Sequence, residues 1–142
     1  MSAAPPEFVS AMQVLRTYAR VYTSDFETTT AALIAASGAE IGLQFDMPNG
    51  LRLAAIGQVL VVAGDDVALA PYRATQATLI VDDLDQFHTA LVTSGADIVQ
   101  EPQAVPTGRN LTARLTPEVQ IEFVEWDKAQ WQRINAVTPS AD

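Results

Sequence analysis

Hydrophobic and polar residues alternate in several of eight short segments that are rich in β-branched and aromatic residues, and these segments predict eight β-strands. The segments are 14–23, 40–47, 51–56, 58–63, 76–81, about 97–101, 109–115 and 119–126. After the first and the fifth segments, apolar residues recur instead at helical spacing, in 26–37 and from Leu84 onward. Each helical segment follows an aspartate that can cap it and ends at a glycine, Gly38 or Gly95. The pattern therefore predicts the order βαβββ twice.

The two halves also repeat one another in sequence. "SGAEI" at 37–41 returns as "SGADI" at 94–98, and Asp25 before the first helix corresponds to Asp83 before the second, about 58 residues later. Such a period indicates two copies of one structural unit. Since a unit of about 60 residues buries little surface alone, we expect the copies to share one core.

Composition excludes several classes of function. The 142 residues include no cysteine, so disulfides and thiolate chemistry are ruled out, and no apolar run is long enough to cross a membrane. The first 15 residues carry no basic side chain, which argues against a secretory signal and favours a cytoplasmic protein. A net charge of −9 with eight scattered basic residues disfavours nucleic acid and anionic membranes as partners.

The repeated βαβββ order resembles the vicinal oxygen chelate superfamily, which includes glyoxalases, bleomycin-resistance proteins and dioxygenases. The second half is the closer match, especially in residues 77–108, "ATLIVDDLDQFHTALVTSGADIVQEPQAVPTG". The resemblance covers about 13–127 and implies an α+β fold. In that fold the modules 13–64 and 74–127 form one cupped mixed sheet with helices on its convex face. Residues 1–12 would form a flexible N-terminal arm, and 128–142 a short helix and tail.

Period two divides the side chains of each strand between the two faces of the sheet. A small, apolar set, such as Leu79, Leu111 and Phe123, suits packing against helices, while the opposite set is polar and aromatic and would line the cup. The expected ligand-binding residues are Tyr18, Arg20, Tyr22, Arg52, Gln76, Arg114, Glu122 and Trp126. The alternative is an ordinary one-sided sheet whose polar face meets water.

The resemblance also implies where a metal ion would bind, on the first and last strands of each module. The corresponding positions are Tyr18, Leu60 or Val61, Gln76 and Glu122. Only Gln76 and Glu122 offer ordinary oxygen ligands, and a catalytic divalent metal usually takes three protein ligands. We therefore expect neither a metal nor another cofactor. The single histidine, His88, lies near the apolar stripe of the second helix and is expected to be a packed or partly exposed helix residue.

Several functions stay open. We favour a metal-independent, homodimeric small-molecule binding protein of the glyoxalase/bleomycin-resistance type, which would sequester an antibiotic or a metabolite. A metal-free isomerase, lyase or cyclase would use Glu122 as a general base, although Glu122 can instead pair with Arg20, Arg52 or Arg114. Further alternatives are a metal-dependent lyase or dioxygenase, and a regulatory or scaffolding module that uses the segment around Trp131. Whether the protein is an enzyme stays open, although we favour a binding protein without catalytic activity.

Overall fold

The computed structural model describes residues 12–137. The strands are β1 (Val14–Thr23), β2 (Ile41–Asp46), β3 (Arg52–Ile56), β4 (Val59–Ala63), β5 (Thr75–Val81), β6 (Asp97–Val105), β7 (Gly108–Thr116) and β8 (Val119–Trp126). The helices are α1 (Phe26–Ser37), α2 (Asp66–Leu69), α3 (Leu84–Thr93) and α4 (Lys128–Val137). The predicted arm before Met12 and the predicted tail after residue 137 lie outside the described residues.

All eight strands form one mixed sheet, in the order β2-β3-β4-β1-β5-β8-β7-β6. Within each module the first and last strands are parallel, β1 with β4 and β5 with β8. The two modules meet where β1 runs antiparallel to β5, with Tyr18 opposite Thr78. The predicted α+β fold with a cupped mixed sheet is confirmed, and the first strands of both modules lie at its centre.

Two helices cover the convex face, each because its apolar stripe matches the apolar face of nearby strands. Phe26 of α1 packs with Ala54 and Val61, and Leu84 of α3 packs with Phe123. Of these strand residues, Phe123 belongs to the small, apolar set that alternation assigned to helix packing. The Asp25 carboxylate caps α1 by accepting a hydrogen bond from the Thr28 N–H at 3.1 Å, and Gly38 ends the helix in the left-handed conformation, with φ of 72°.

A second apolar cluster lies on the concave face. It contains Tyr18, Ile80 and Trp126 from the central strands and is completed by Ile134 of α4. Trp131 of α4 meets Trp126 edge to face, with ring centroids 4.6 Å apart. The predicted C-terminal helix thus packs on the body of its own chain and covers part of the cup.

Two features differ from the expected pattern. β6 continues past Pro102 to Val105, because it is an edge strand, where proline removes no required ladder bond, and its register shifts between Gln100 and Gln103. The predicted linker 65–73 contains the short helix α2, which the Asp65 carboxylate caps by accepting from the Ala68 N–H at 2.8 Å. No helix in the described range is both long and apolar enough to span a membrane.

Candidate functional site

Two adjoining cavities occupy the cup. The first, of about 80 Å³, is mainly apolar, and its wall includes Leu43, Phe45 and Trp126. The second, of about 240 Å³, is polar on one side, where β5, β7 and β8 present hydroxyl, amide and carboxylate groups. Asn110 and Glu122 belong to the walls of both cavities. The cup therefore has an apolar end, a polar end and a shared boundary between them.

A polar cluster centred on Glu122 stands at that boundary. Glu122 Oε1 accepts hydrogen bonds from Thr78 Oγ1 at 2.8 Å and from Arg20 Nη1 at 3.2 Å, and Oε2 accepts one from Asn110 Nδ2 at 2.7 Å. Strand register produces this arrangement, because Thr78 lies beside Glu122 on the neighbouring strand, and Asn110 lies on β7 at the other side of β8. A carboxylate removed from water needs such partners. Of the pairings considered from the sequence, Glu122 therefore makes the one with Arg20.

Three polar atoms in the wall of the cup are buried and lack a hydrogen-bond partner among residues 12–137. They are Tyr18 Oη, Arg20 Nε and Asn110 Oδ1. The Asn110 orientation follows from its neighbour: Nδ2 must face the Glu122 carboxylate, which only accepts, so Oδ1 turns away. Each unpaired buried group costs about 1–3 kcal/mol. Such groups normally have a partner, either protein, water or ligand.

Burial raises the pKa of the Tyr18 phenol above its ordinary value of 10.0, and the nearby positive charge of Arg16 only partly opposes this rise. The phenol is therefore protonated at neutral pH. It can donate a hydrogen bond into the cup but is a poor metal ligand.

Four of the eight predicted ligand-binding residues line the cavities: Tyr18, Arg20, Glu122 and Trp126. Tyr22 packs its ring beside the Arg20 guanidinium, 5.5 Å from the ring centroid. Its hydroxyl, however, donates a hydrogen bond toward the backbone carbonyl oxygens of Tyr72 and Thr75, which links β1 to the segment between the modules. Tyr22 supports the cup from the side and is absent from the two cavity walls.

Gln76 is also outside the cavity walls. The register of β5 against β8 shifts between Thr75 and Ala77, so that Thr75 takes the inward position, where its Oγ1 accepts a hydrogen bond from Gln120 Nε2 at 3.0 Å. Gln76 is exposed, and its Oε1 accepts from the Gln120 N–H at 3.1 Å. Simple alternation fails here because the irregularity adds one residue to the strand.

The other two predicted arginines line neither of the two cavities, although Gln120, one partner of Arg114, lines the second. Arg52 pairs with Glu27 at 2.7 Å and lies 4.0 Å from the centroid of the Phe26 ring, beside α1. Arg114 Nη2 donates to Gln120 Oε1 at 3.0 Å, and Nη1 reaches Asp97. Only one of the three arginines considered as site residues therefore belongs to the cup.

Thr78 and Asn110 were not among the predicted ligand-binding residues, although both bind the Glu122 carboxylate. Alternation had placed them on the polar face, which was the available signal. The apolar wall formed by Leu43 and Phe45 had no comparable signal, since a short apolar strand reads the same whether it packs in a core or lines a cavity.

The positions that the family resemblance assigns to metal ligands do not fit a divalent ion. Tyr18 offers a protonated phenol, Leu60 has no donor, and Gln76 is displaced by the strand irregularity. Glu122 is the only anion of the four, and a guanidinium already lies 3.2 Å from it. Nor do three or more His, Cys, Asp or Glu side chains form a group suited to a metal anywhere in 12–137.

His88 lies on α3, away from the cup. Its Nε2 is 2.9 Å from Glu101 Oε1, and about a third of the side chain is exposed. The position agrees with its prediction as a partly exposed helix residue.

Comparison with known proteins finds no matching family model and no similar curated protein. Among solved structures, an uncharacterized protein from Methanosarcina mazei is 38% identical, with a TM-score of 0.76 over 82% of this chain and 95% of its own. Methylmalonyl-CoA epimerase from Mycobacterium tuberculosis is 19% identical, with a TM-score of 0.64 over 81% of this chain and 89% of its own.

A mutant of 4-hydroxymandelate synthase from Streptomyces coelicolor is 17% identical, with a TM-score of 0.54 over 77% of this chain and 37% of its own. The epimerase and the synthase both have the paired-module fold described above and are members of one superfamily. Together with the sequence repeat, the strand order and the relative from Methanosarcina mazei, they show that this chain has the fold of the vicinal oxygen chelate superfamily.

Proposed function

We propose that the cup binds a small organic molecule and that this binding needs no resident metal ion. The observation that carries the proposal is the polar cluster of Arg20, Thr78, Asn110 and Glu122 at the junction of an apolar and a polar cavity. Ligand sites in proteins commonly combine apolar walls with a few converging polar groups. The apolar end would take the body of the molecule, and the cluster would fix its orientation.

The unpaired polar atoms support the same proposal. Tyr18 Oη, Arg20 Nε and Asn110 Oδ1 together lower the stability of the free protein by about 3–9 kcal/mol if each costs about 1–3 kcal/mol. A fold that kept these groups only for stability would gain from replacing them with apolar side chains. Their presence beside a cavity is expected where function, and not stability, selects the residue.

A thermal-shift screen over metabolites and drugs tests the proposal. A compound present at 100 times its Kd stabilises the native state by about 2.7 kcal/mol and so raises Tm. Leu43→Trp, which fills the apolar cavity from its partly exposed rim, should abolish the shift, whereas Glu101→Gln on β6, outside the two cavity walls, should retain it. Silence of the wild-type protein over a broad library, or an undiminished shift in Leu43→Trp, would contradict the proposal.

The donor set of the cup leads to a prediction about metals. The purified protein should carry no stoichiometric Zn, Fe, Mn or Ni, because Glu122 is committed to Arg20, Thr78 and Asn110. Chelators should then leave its Tm unchanged. Elemental analysis that finds about one such ion per chain, lost in Glu122→Gln, would favour a metal-dependent lyase or dioxygenase instead.

A second candidate function is a metal-free isomerase, lyase or cyclase in which Glu122 moves a proton. It is favoured by the place of Glu122 in the walls of both cavities, within reach of a molecule in either. Several structural neighbours are named methylmalonyl-CoA epimerases, but at 19% identity or less this likeness extends to the fold alone. If Glu122→Gln abolishes turnover of a ligand while retaining its affinity, the protein is an enzyme; if only affinity falls, it is a binding protein.

The homodimer and the cytoplasmic location inferred from the sequence stay predictions. Light scattering coupled to size exclusion tests the first, with a mass of twice 15.2 kDa expected. A single-chain mass over the micromolar range would contradict it.

A further inference from the structure

The ion pair in the cup presents its two members unequally to a ligand. The Glu122 side chain is 19% exposed, whereas that of Arg20 is only 6% exposed. Arg20 Nη1 also points at the carboxylate and at Thr78 Oγ1, at 3.2 and 3.3 Å. A molecule in the cup therefore meets the carboxylate before it meets the guanidinium, and a carboxylate can only accept hydrogen bonds.

One other cation lies beside the apolar cavity: the Arg16 guanidinium carbon is 5.9 Å from the centroid of the Trp126 ring, and its charge acts on Tyr18, although its side chain is not part of either cavity wall. Of the side chains that line the two cavities in the described structure, Arg20 and Glu122 are the only charged ones.

Arg52 and Arg114 lie outside the two cavity walls, and each pairs with a carboxylate there, Glu27 and Asp97. At the boundary marked by Glu122, an anionic ligand would face the exposed carboxylate with only an already paired cation beside it, in a sheltered site where charges interact strongly.

A cationic ligand gains little as well. The Glu122 charge is already balanced by Arg20, so a second cation would lose its own hydration for a reduced attraction. The net charge of −9 acts mainly from outside the cup, and salt screens it beyond about 8 Å at physiological ionic strength. A neutral hydrogen-bond donor keeps the Glu122–Arg20 pair intact and still satisfies the exposed oxygens.

From this geometry we infer that the ligand is an uncharged, largely apolar molecule with a hydroxyl or N–H group that donates to Glu122, and that the cup rejects carboxylates and phosphates. This inference rests on the proposed function, since it describes the ligand of the same cup. The inferred ligand differs in charge from the substrate of any structural neighbour that is named for an acidic compound.

Four probes with one skeleton test the inference, measured by ligand-detected NMR titration of the full chain at pH 7. They are 4-ethylbenzyl alcohol, its methyl ether, 4-ethylbenzoate and 4-ethylbenzylammonium. The alcohol should bind about tenfold more tightly than the ether and the benzoate, because only the alcohol donates to a charged acceptor without bringing charge. The ammonium probe should bind no more tightly than the alcohol.

Glu122→Gln provides the matched variant. It frees Arg20 from its partner, so the benzoate should now bind at least as tightly as the alcohol, whereas Glu101→Gln on the exposed edge strand should leave the wild-type order unchanged. If Glu122→Gln does not fold, the wild-type order alone decides.

Benzoate or ammonium binding more tightly than the alcohol, or an ether equal to the alcohol, overturns the inference but leaves the proposed function, because the cup would still bind. Failure of all four probes also overturns the inference. The proposed function is lost only if the metabolite and drug library is silent too.

Discussion

Replacing Tyr18 by phenylalanine removes a single hydroxyl from the centre of the concave cluster. Tyr18 is 1% exposed, and its ring lies 6.2 Å from that of Trp126. No residue in the described range 12–137 forms a hydrogen bond of acceptable geometry with its Oη, although the Arg16 guanidinium lies near the phenol. Tyr18→Phe therefore keeps the ring contacts and deletes only a polar atom that the protein leaves unpaired.

The expected change follows from that deletion. An unsatisfied buried polar group costs about 1–3 kcal/mol, and its removal should stabilise the protein by that amount. The packing contacts of the hydroxyl are lost as well, which offsets part of the stabilisation. We expect Tyr18→Phe to raise the free energy of unfolding of the ligand-free protein by about 1 kcal/mol. For a chain of this length, that corresponds to a rise in Tm of about 3–4 °C.

Tyr22→Phe is the matched control, since the same atom is removed four residues along the same strand. The Tyr22 hydroxyl faces the carbonyl oxygens of Tyr72 and Thr75. Its loss removes a hydrogen bond and leaves a half-buried acceptor without its donor. We expect the free energy of unfolding to fall by about 1 kcal/mol.

Urea unfolding followed by tryptophan fluorescence measures both variants, with a comparable m value as the check that the transition stays two-state. The reasoning requires shifts of opposite sign. If Tyr18→Phe destabilises the ligand-free protein as much as Tyr22→Phe does, the Tyr18 hydroxyl has a partner in the free protein, and the argument from unpaired atoms is refuted.

Three further predictions concern stability. Gly108→Ala should cost at least about 3 kcal/mol in urea unfolding, since φ is 149° and a Cβ would lie 2.1 Å from the Glu125 carbonyl oxygen. Gly95→Ala, where φ is 87° and the space around the Cβ is open, should cost only about 1 kcal/mol. Equal costs would refute the steric argument. In alkali, the wild-type protein should lose stability as the pH rises above 10, because burial raises the folded-state pKa of Tyr18 and Tyr22, so the unfolded chain releases these protons first. A stability that does not change with pH in this range would contradict the prediction. In acid, Arg109 holds the pKa of Asp85 below 3.8, mainly through a hydrogen bond, so its contribution is present above that value and lost as the pH falls through the folded pKa. Asp85→Asn should therefore show a shallower loss of stability in acid unfolding than the wild-type protein; an identical slope would show that the pair does not contribute.

Much of the fold could be predicted because each of its elements is encoded locally. Alternation identified the strands and assigned Leu79, Leu111 and Phe123 to the helix side, where they pack against α3. The capping aspartates and terminal glycines located the two helices of the convex face. The resemblance to the vicinal oxygen chelate superfamily then supplied the arrangement of the two modules in one cupped sheet.

The site was less predictable because it depends on contacts between segments distant in sequence. A one-residue irregularity at Gln76 changes which side chain faces inward, and alternation carries no sign of it. Arg52 was expected to line the cup, yet its ion pair with Glu27 and its contact with the Phe26 ring hold it beside α1. The resemblance pointed to Glu122 and Tyr18, and both line the cup, but the pairing of Glu122 with Arg20 is set by the arrangement of β1, β5 and β8.

The central claim is that the cup, at the boundary marked by Glu122, is a small-molecule binding site. Amide chemical-shift mapping of the ¹⁵N-labelled protein, titrated with the compound that stabilises it most, tests this claim directly. The account predicts the largest shifts at Thr78, Asn110 and Glu122 and at the indole N–H of Trp126. Shifts confined to α1 and α3 on the convex face, with the cup unchanged, would contradict it.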